Sequence, residues 1–227
     1  MSKAVDYFWS WFIDNHPKLK TLRTLKPKDQ KHYTFWLNWH LHFYTPGIDF
    51  LLVFPNREKD KLQMIITANG NPEYFDKVEE VVKAAPQLKD WKFTAFIQPK
   101  QDYEELENGL DKPYIFQDIT LKASELKFVP LEYEGEKKID LIVYLKNFTI
   151  YSQNKNLLQL IFIMMQDLLG EKSLCENINF VELAKMPKEE NTELIYLYDL
   201  QYYLDQINTK NNTQYCISNN FQQKAMF

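Results

Sequence analysis

Between residues 61 and 99 the apolar positions change period twice. Leu62, Met64, Ile65 and Ile66 form a short continuous run that stops at Asn69-Gly70, the pattern of a buried strand ending in a turn. Asn71 follows with a side-chain oxygen suited to capping a free helix amide, and Pro72 suits a first helical position, where no amide partner is needed. Phe75, Val78, Val82 and Ala85 then recur at helical spacing, with Tyr74 and Val81 widening the stripe. Pro86 stops the helix, and Trp91–Ile97 returns to strand-forming residues. The block predicts strand, turn, amphipathic helix and strand. Nothing in it requires a reactive side chain.

Residues 3–14 carry Val5, Phe8, Trp9 and Phe12, with Ile13 beside them, at the i, i+3, i+4, i+7, i+8 spacing of an amphipathic helix. Tyr7 and Trp11 widen its apolar face, and Pro17 is the expected stop. Residues 18–31 are basic, with Lys18, Lys20, Arg23, Lys26, Lys28 and Lys31, and read as a solvated connector. Tyr33–Tyr44 fits two periods. Alternation places Phe35, Leu37, Trp39, Leu41 and Phe43 on one strand face, whereas helical spacing groups Tyr33, Trp36, Leu37, His40, Leu41 and Tyr44. Composition favours strand and length before Thr45-Pro46-Gly47 favours helix, so the pattern alone leaves both open.

Further along, Ile48–Phe54 and Leu62–Ala68 read as strands joined through the polar turn Pro55–Lys61, a hairpin. Residues 101–112 hold five acids against one lysine and read as a loop or short turn. Lys127–Tyr133 and Ile139–Leu145 are strands joined at Glu134-Gly135-Glu136. Leu157–Leu169 has ten apolar residues in thirteen, too short to span a bilayer, and reads as a core helix closed by Gly170. Asn177–Leu183 and Glu193–Tyr198 are short strands, and Asp199 is placed to cap a last helix through about Ile207. The Asn- and Gln-rich stretch over residues 208–227 reads as a mobile or locally docked tail.

Composition narrows the function classes. The chain has 227 residues, 45% hydrophobic and 15% aromatic, enough for a substantial core. Five glycines argue against Gly-rich phosphate loops, and a net charge of −4 does not favour nucleic acid. Cys175 and Cys216 make no disulfide framework, which suits a reduced setting. No basic segment followed by an apolar stretch marks a secretory signal at the N-terminus.

The block Leu62–Phe96 resembles a family of uncharacterised bacterial proteins. In that family a strand–turn–helix–AP–W–AF block accompanies an N-terminal helix like FWSWF, here Phe8–Phe12. It also accompanies a later helix ending like DLLGE, here Asp167–Glu171, and a strand like INFVEL, here Ile178–Leu183. The resemblance covers most of residues 5–205 and implies an α+β fold with no assigned activity. It also implies a helix before the PGIDF-like strand, so helix is the expectation for residues 30–44.

Candidate chemistry is sparse. His40 and His42 would share one face, and one metal ion, on a strand, but lie about 200° apart on a helix. No Cys-x-x-Cys or His-Glu-x-x-His motif adds ligands. Asp102, Glu104, Glu105 and Glu107 are candidates for acid–base work or cation binding, with a solvated loop as the plainer reading. Gly170-Glu171-Lys172-Ser173 ends like a phosphate loop, but the upstream glycine is replaced by Met165, and the segment follows a helix rather than opening one. Cys175 lacks the local signature of a nucleophile and reads as a small buried thiol. Phe8, Trp9, Trp11 and Phe12 fit either a docked terminal helix or an interaction hot spot.

The sequence therefore predicts an α+β fold: a mainly antiparallel sheet covered by helices near residues 3–14, 72–85 and 156–169. It predicts one domain over 1–207, divisible into β-β-α halves at 1–115 and 116–207, with the tail beyond. The expected function is a non-enzymatic, cytoplasmic binding or regulatory protein. Its partner would be another protein or a second copy, with no nucleic acid, membrane, metal or cofactor. Trp11, Trp36 and Trp39 are the candidate partner-binding residues. Two alternatives remain: an enzyme using the acids of 102–107 or His40, and an immunity-type protein that neutralises a toxin, a role the acidic balance would suit.

Overall fold

The computed structural model describes residues 2–55, 57, 60–100, 102–188 and 194–209. The fold is α+β, and antiparallel pairs outnumber parallel ones. The strands form three separate sheets rather than one. The chain divides into two compact units: Met1–Gln98 with Gly170–Cys175, and Pro99–Leu169 with Glu176–Phe227.

Unit 1 begins with α1, Lys3–Lys20, where the Ser2 hydroxyl accepts the Ala4 amide as N-cap. Val5, Phe8, Trp9 and Phe12 are buried, as their spacing predicts. Pro17 lies inside α1 instead of ending it. The lost helix hydrogen bond is offset by Leu19, which is fully buried and anchors the last turn. Residues 18–31 are thus no single connector. They finish α1, form a short 3-10 turn at Leu22–Thr24 and open α2, Pro27–Tyr44, although their six basic side chains are exposed. The helical reading of Tyr33–Tyr44 is the one observed.

Strand β1, Asp49–Val53, pairs antiparallel with β2, Leu62–Thr67, setting Leu51 opposite Ile65. Asn71 accepts the Glu73 amide, Pro72–Tyr74 makes a 3-10 turn, and α3 follows over Phe75–Lys83. The chain then returns as β3, Trp91–Ala95, parallel to β2 and two residues shorter than its strand-forming run. The order is β1-β2-β3. Along α3 the buried stripe is Phe75, Val78 and Val81, while Val82 is only half-buried. The three-residue spacing turns the contact line towards Val81, which corrects the expectation that Val82 is buried against the sheet together with Val78. Trp9 fixes this face, because its indole N–H donates to the Val81 carbonyl at 2.9 Å.

Unit 2 contains more structure than its sequence pattern announces. Residues 101–112 are not simply a loop: Asp102 caps α4, Tyr103–Glu107, by accepting the Glu104 and Glu105 amides. A hairpin of β4, Tyr114–Phe116, and β5, Ile119–Leu121, follows. Strands β6, Lys127–Leu131, and β7, Ile139–Leu145, pair antiparallel, and β7 alternates buried and half-buried residues along its length. Helices α5, Phe148–Tyr151, and α6, Leu157–Leu169, lead through α7, Glu171–Asn177, to β8, Ile178–Lys185, parallel to β7. Strand β9, Ile195–Tyr196, completes the order β8-β7-β6-β9. Helix α8 spans residues 200–209. Asp199 does not cap it: it sits in a 3-10 turn, and its carboxylate accepts the Tyr103 hydroxyl at 2.7 Å. Residues 210–227, the rest of the expected tail, lie outside the described residues. Each unit thus contains a hairpin followed by a helical crossover to a strand parallel with the hairpin's second strand.

One side chain ties unit 1 together at the ends of β2 and β3. Glu171, the first residue of α7, is fully buried. Its Oε2 accepts the Thr67 hydroxyl at 2.7 Å and the Ile97 amide at 3.1 Å. Its Oε1 accepts the Ala68 amide at 2.9 Å and the Gly70 amide at 3.1 Å. The Glu171 amide in turn donates to the Ile97 carbonyl at 2.8 Å. Asn69, Gly70 and Phe96, with φ of 50°, 77° and 62°, adopt left-handed backbone at these same strand ends. That conformation is unfavourable for Asn69 and Phe96, and the shared acceptor helps to offset it.

Two substitutions test this packing. Val81→Ala should destabilise the fold by about 1–3 kcal/mol and Val82→Ala by clearly less, read from denaturant midpoints. Glu171→Ala should cost more than about 3 kcal/mol, because a buried amide, two part-buried amides and a buried hydroxyl lose their acceptor together. A Glu171→Ala midpoint within experimental error of the parent would show that the carboxylate is dispensable.

Candidate functional site

Helix α2 has two aromatic faces. One, with Tyr33, Leu37, Leu41 and Tyr44, joins the core of unit 1. The other is a ladder of His32, Phe35, Trp36, Trp39, His40 and Phe43, spaced i, i+3, i+4, i+7, i+8, i+11. At 100° per residue the two stripes are centred roughly 140° apart, so both cannot face one core. The outer ladder remains open, with Phe35 59%, Trp36 36%, Trp39 45% and Phe43 60% exposed.

The exposed rings contact one another in sequence. Phe35 meets Trp36 edge-on at 5.4 Å, Trp36 meets Trp39 at 5.6 Å, and Trp39 stacks on Phe43 at 5.6 Å. Trp11 of α1 joins this surface by stacking on the His40 imidazole at 5.0 Å. Trp36 and Trp39 flank the same imidazole, and burial lowers its pKa from the ordinary histidine value. Four aromatic side chains of about 200 Å² each, half exposed, present about 400 Å² of apolar surface. That is the size at which a monomer's largest patch is often functional. The structure thus brings Trp11, Trp36 and Trp39 around His40. Phe35 and Phe43 belong with them, and sequence reasoning missed both because it placed them on the strand alternative. The signal was present in the 32-35-36-39-40-43 spacing.

The other candidates fare differently. The helix points His40 and His42 about 200° apart, and His42 instead lies 3.2 Å from the Asn38 amide group. Among the described residues no group of three His, Cys, Asp or Glu side chains is placed to hold a metal ion. Glu104, Glu105 and Glu107 are exposed on α4. Beside them, Glu107, Lys122, Glu125, Tyr196 and Tyr198 line a cavity of about 220 Å³. Outside that lining the Tyr103 hydroxyl is held by Asp199, which pushes its pKa up to about 12, and burial raises that of Tyr198. Tyrosines shifted in this direction stay protonated and do not serve as bases.

The segment Gly170-Glu171-Lys172-Ser173 does open a helix, correcting the expectation that it only follows one. Gly170, at φ 79°, separates α6 from α7. The acidic side chain of Glu171 instead accepts the backbone amides of Ala68, Gly70 and Ile97. Sequence reasoning weighed this stretch only as a phosphate loop and so missed the residue. Cys175 is half-buried against the core of unit 1. No helix among the described residues is long and apolar enough to cross a membrane. No family model, curated protein or solved structure matches the chain.

The two tryptophans of α1 should separate by role. Trp9 is buried, bonded to the Val81 carbonyl and ringed by Phe8, Phe12 and Phe93. Trp9→Ala should cost about 3–5 kcal/mol in denaturant unfolding, and Trp11→Ala clearly less. Equal losses from both would place Trp11 in the core rather than on the open surface.

Proposed function

We propose that this is a non-catalytic binding protein and that the outer face of α2 docks a protein partner, a second copy being the simplest case. The observation that carries the reading is the exposed ladder Phe35, Trp36, Trp39 and Phe43 on a helix whose opposite face already fills the core. A helix apolar on both sides is ordinarily covered on both sides. Tryptophan is also the side chain most enriched at binding hot spots. His40, held half-buried between Trp11, Trp36 and Trp39, stiffens the surface and limits the ordering cost of binding. A cytoplasmic setting suits the two cysteines far apart in sequence.

The test is a pair of surface substitutions, Trp36→Ser and Trp39→Ser, in the full chain. Stability should change by less than about 1 kcal/mol, because both rings are open to solvent. Association should weaken by at least about 30-fold, the effect of losing one hot-spot side chain. Sedimentation measures self-association, and affinity capture from the native cell with mass spectrometry measures a foreign partner. Loss of stability with unchanged association would assign the ladder to folding instead.

A further inference from the structure

The outer face of α2 carries a register as well as a surface. Its central line is His32, Trp36, Trp39 and Phe43, spaced four, three and four residues apart. That alternation keeps one stripe of a helix against a second helix. All four side chains are exposed. At 100° per residue Phe35 and His40 flank the line on opposite sides, and Trp11 of α1 stacks on the His40 flank. The line itself is left for an occupant from outside α1 and α2.

Two properties of this line select that occupant. The spacing reads the same from either end. An antiparallel copy of α2 therefore sets Trp36 of one chain level with Trp39 of the other, and His32 level with Phe43. Every level then holds an aromatic pair, and the contact is self-complementary in the way a twofold interface requires. Charge fixes the direction. Lys26, Lys28 and Lys31, against Asp29 alone, make the N-terminal end of α2 basic, whereas residues 44–47 at its other end carry no charge. A parallel pair would hold the two basic ends about 10 Å apart. The antiparallel pair separates the two Lys28 positions by about 28 Å along the axis, at 1.5 Å per residue. That lies well beyond the roughly 8 Å over which exposed charges act on one another, and it also opposes the two helix dipoles.

We infer that the outer face of α2 pairs with the same face of a second copy, antiparallel, about a twofold axis that passes between Trp36 and Trp39. The inference rests on the reading of this face as a docking surface, and adds the occupant and the register. Two ladders of about 400 Å² each bury about 800 Å² of apolar surface, below the roughly 1,200 Å² at which standard interfaces begin. The pair is therefore a weak, reversible dimer that fills and empties with chain concentration.

The experiment is sedimentation equilibrium of the full chain up to hundreds of micromolar, with Trp36→Glu and Trp39→Lys as separate variants. The parent should self-associate reversibly. Each variant alone should associate at least about 30-fold more weakly, because its new charge lies level with an indole and is buried unpaired. An equimolar mixture should associate at least about tenfold more tightly than either variant alone. In the mixed pair the two opposite charges meet at one level, and the native Trp36–Trp39 pair remains at the other. A parallel pair brings the two substitutions to different levels and gives no recovery. Phe43→Glu mixed with His32→Lys repeats the exchange at the outer levels, and decides the matter if a tryptophan variant does not fold. A parent that stays monomeric over this range overturns the inference, and the docking reading then stands or falls on a foreign partner. Weakening by each variant without recovery in either mixture overturns the antiparallel register and leaves the docking reading intact. Association equal to the parent's in every variant overturns both.

Discussion

The carboxylate of Glu171 meets four hydrogen-bond donors, and unit 1 depends on that convergence. Three are backbone amides, from Ala68, Gly70 and Ile97, and the fourth is the Thr67 hydroxyl. In α/β architectures the carboxyl ends of parallel strands are where ligands ordinarily bind, because the chain diverges there and leaves free amides. Here the parallel pair β2 and β3 ends on an acidic side chain of the same polypeptide. The amides that would cradle an anion are satisfied internally. This explains how the left-handed residues Asn69 and Phe96 are tolerated, and why the strand ends offer no anion site.

The second constraint is geometric. A helix carrying apolar stripes roughly 140° apart cannot bury both against a single three-stranded sheet and its covering helices. In α2 the inner stripe wins because Leu37 and Leu41 are branched aliphatics that pack densely beneath α1. The outer stripe holds the larger rings, which remain in solvent. The unit's other aromatic cluster behaves in the opposite way. Phe8, Trp9, Phe12, Trp91 and Phe93 interlock edge-to-face, and Trp9 finds a carbonyl for its N–H. Composition cannot distinguish these clusters; position on the element does.

That difference explains what could be read from the residues. The central block was legible because its signals agreed: a β-branched run, an Asn-Pro cap, a helical stripe and a closing proline. Helix α1 was legible for the same reason, but its end was not. Pro17 is a genuine breaking signal, and only the tertiary burial of Leu19 shows why the helix continues. The β4–β5 hairpin escaped because its strands are three residues each, too short for a period to register. Val81 and Val82 are adjacent in sequence and differ in burial, because the buried line of α3 steps by three from Phe75 through Val78 to Val81 rather than by four from Val78 to Val82. The outer ladder of α2 was half-legible: Trp36 and Trp39 stood out by type, whereas Phe35 and Phe43 required the helix to be known first. Glu171 was illegible in principle, since its donors lie about a hundred positions earlier in the chain.

Charge is divided unevenly between the two units. Basic residues outnumber acidic ones in unit 1, and the acidic excess of the whole chain lies in unit 2. The net charge of −4 therefore misdescribes the surroundings of the α2 ladder. The α2 ladder has almost no charge among its six rings, so its affinity must come from apolar area and ring geometry. Salt should consequently leave docking on α2 nearly unchanged.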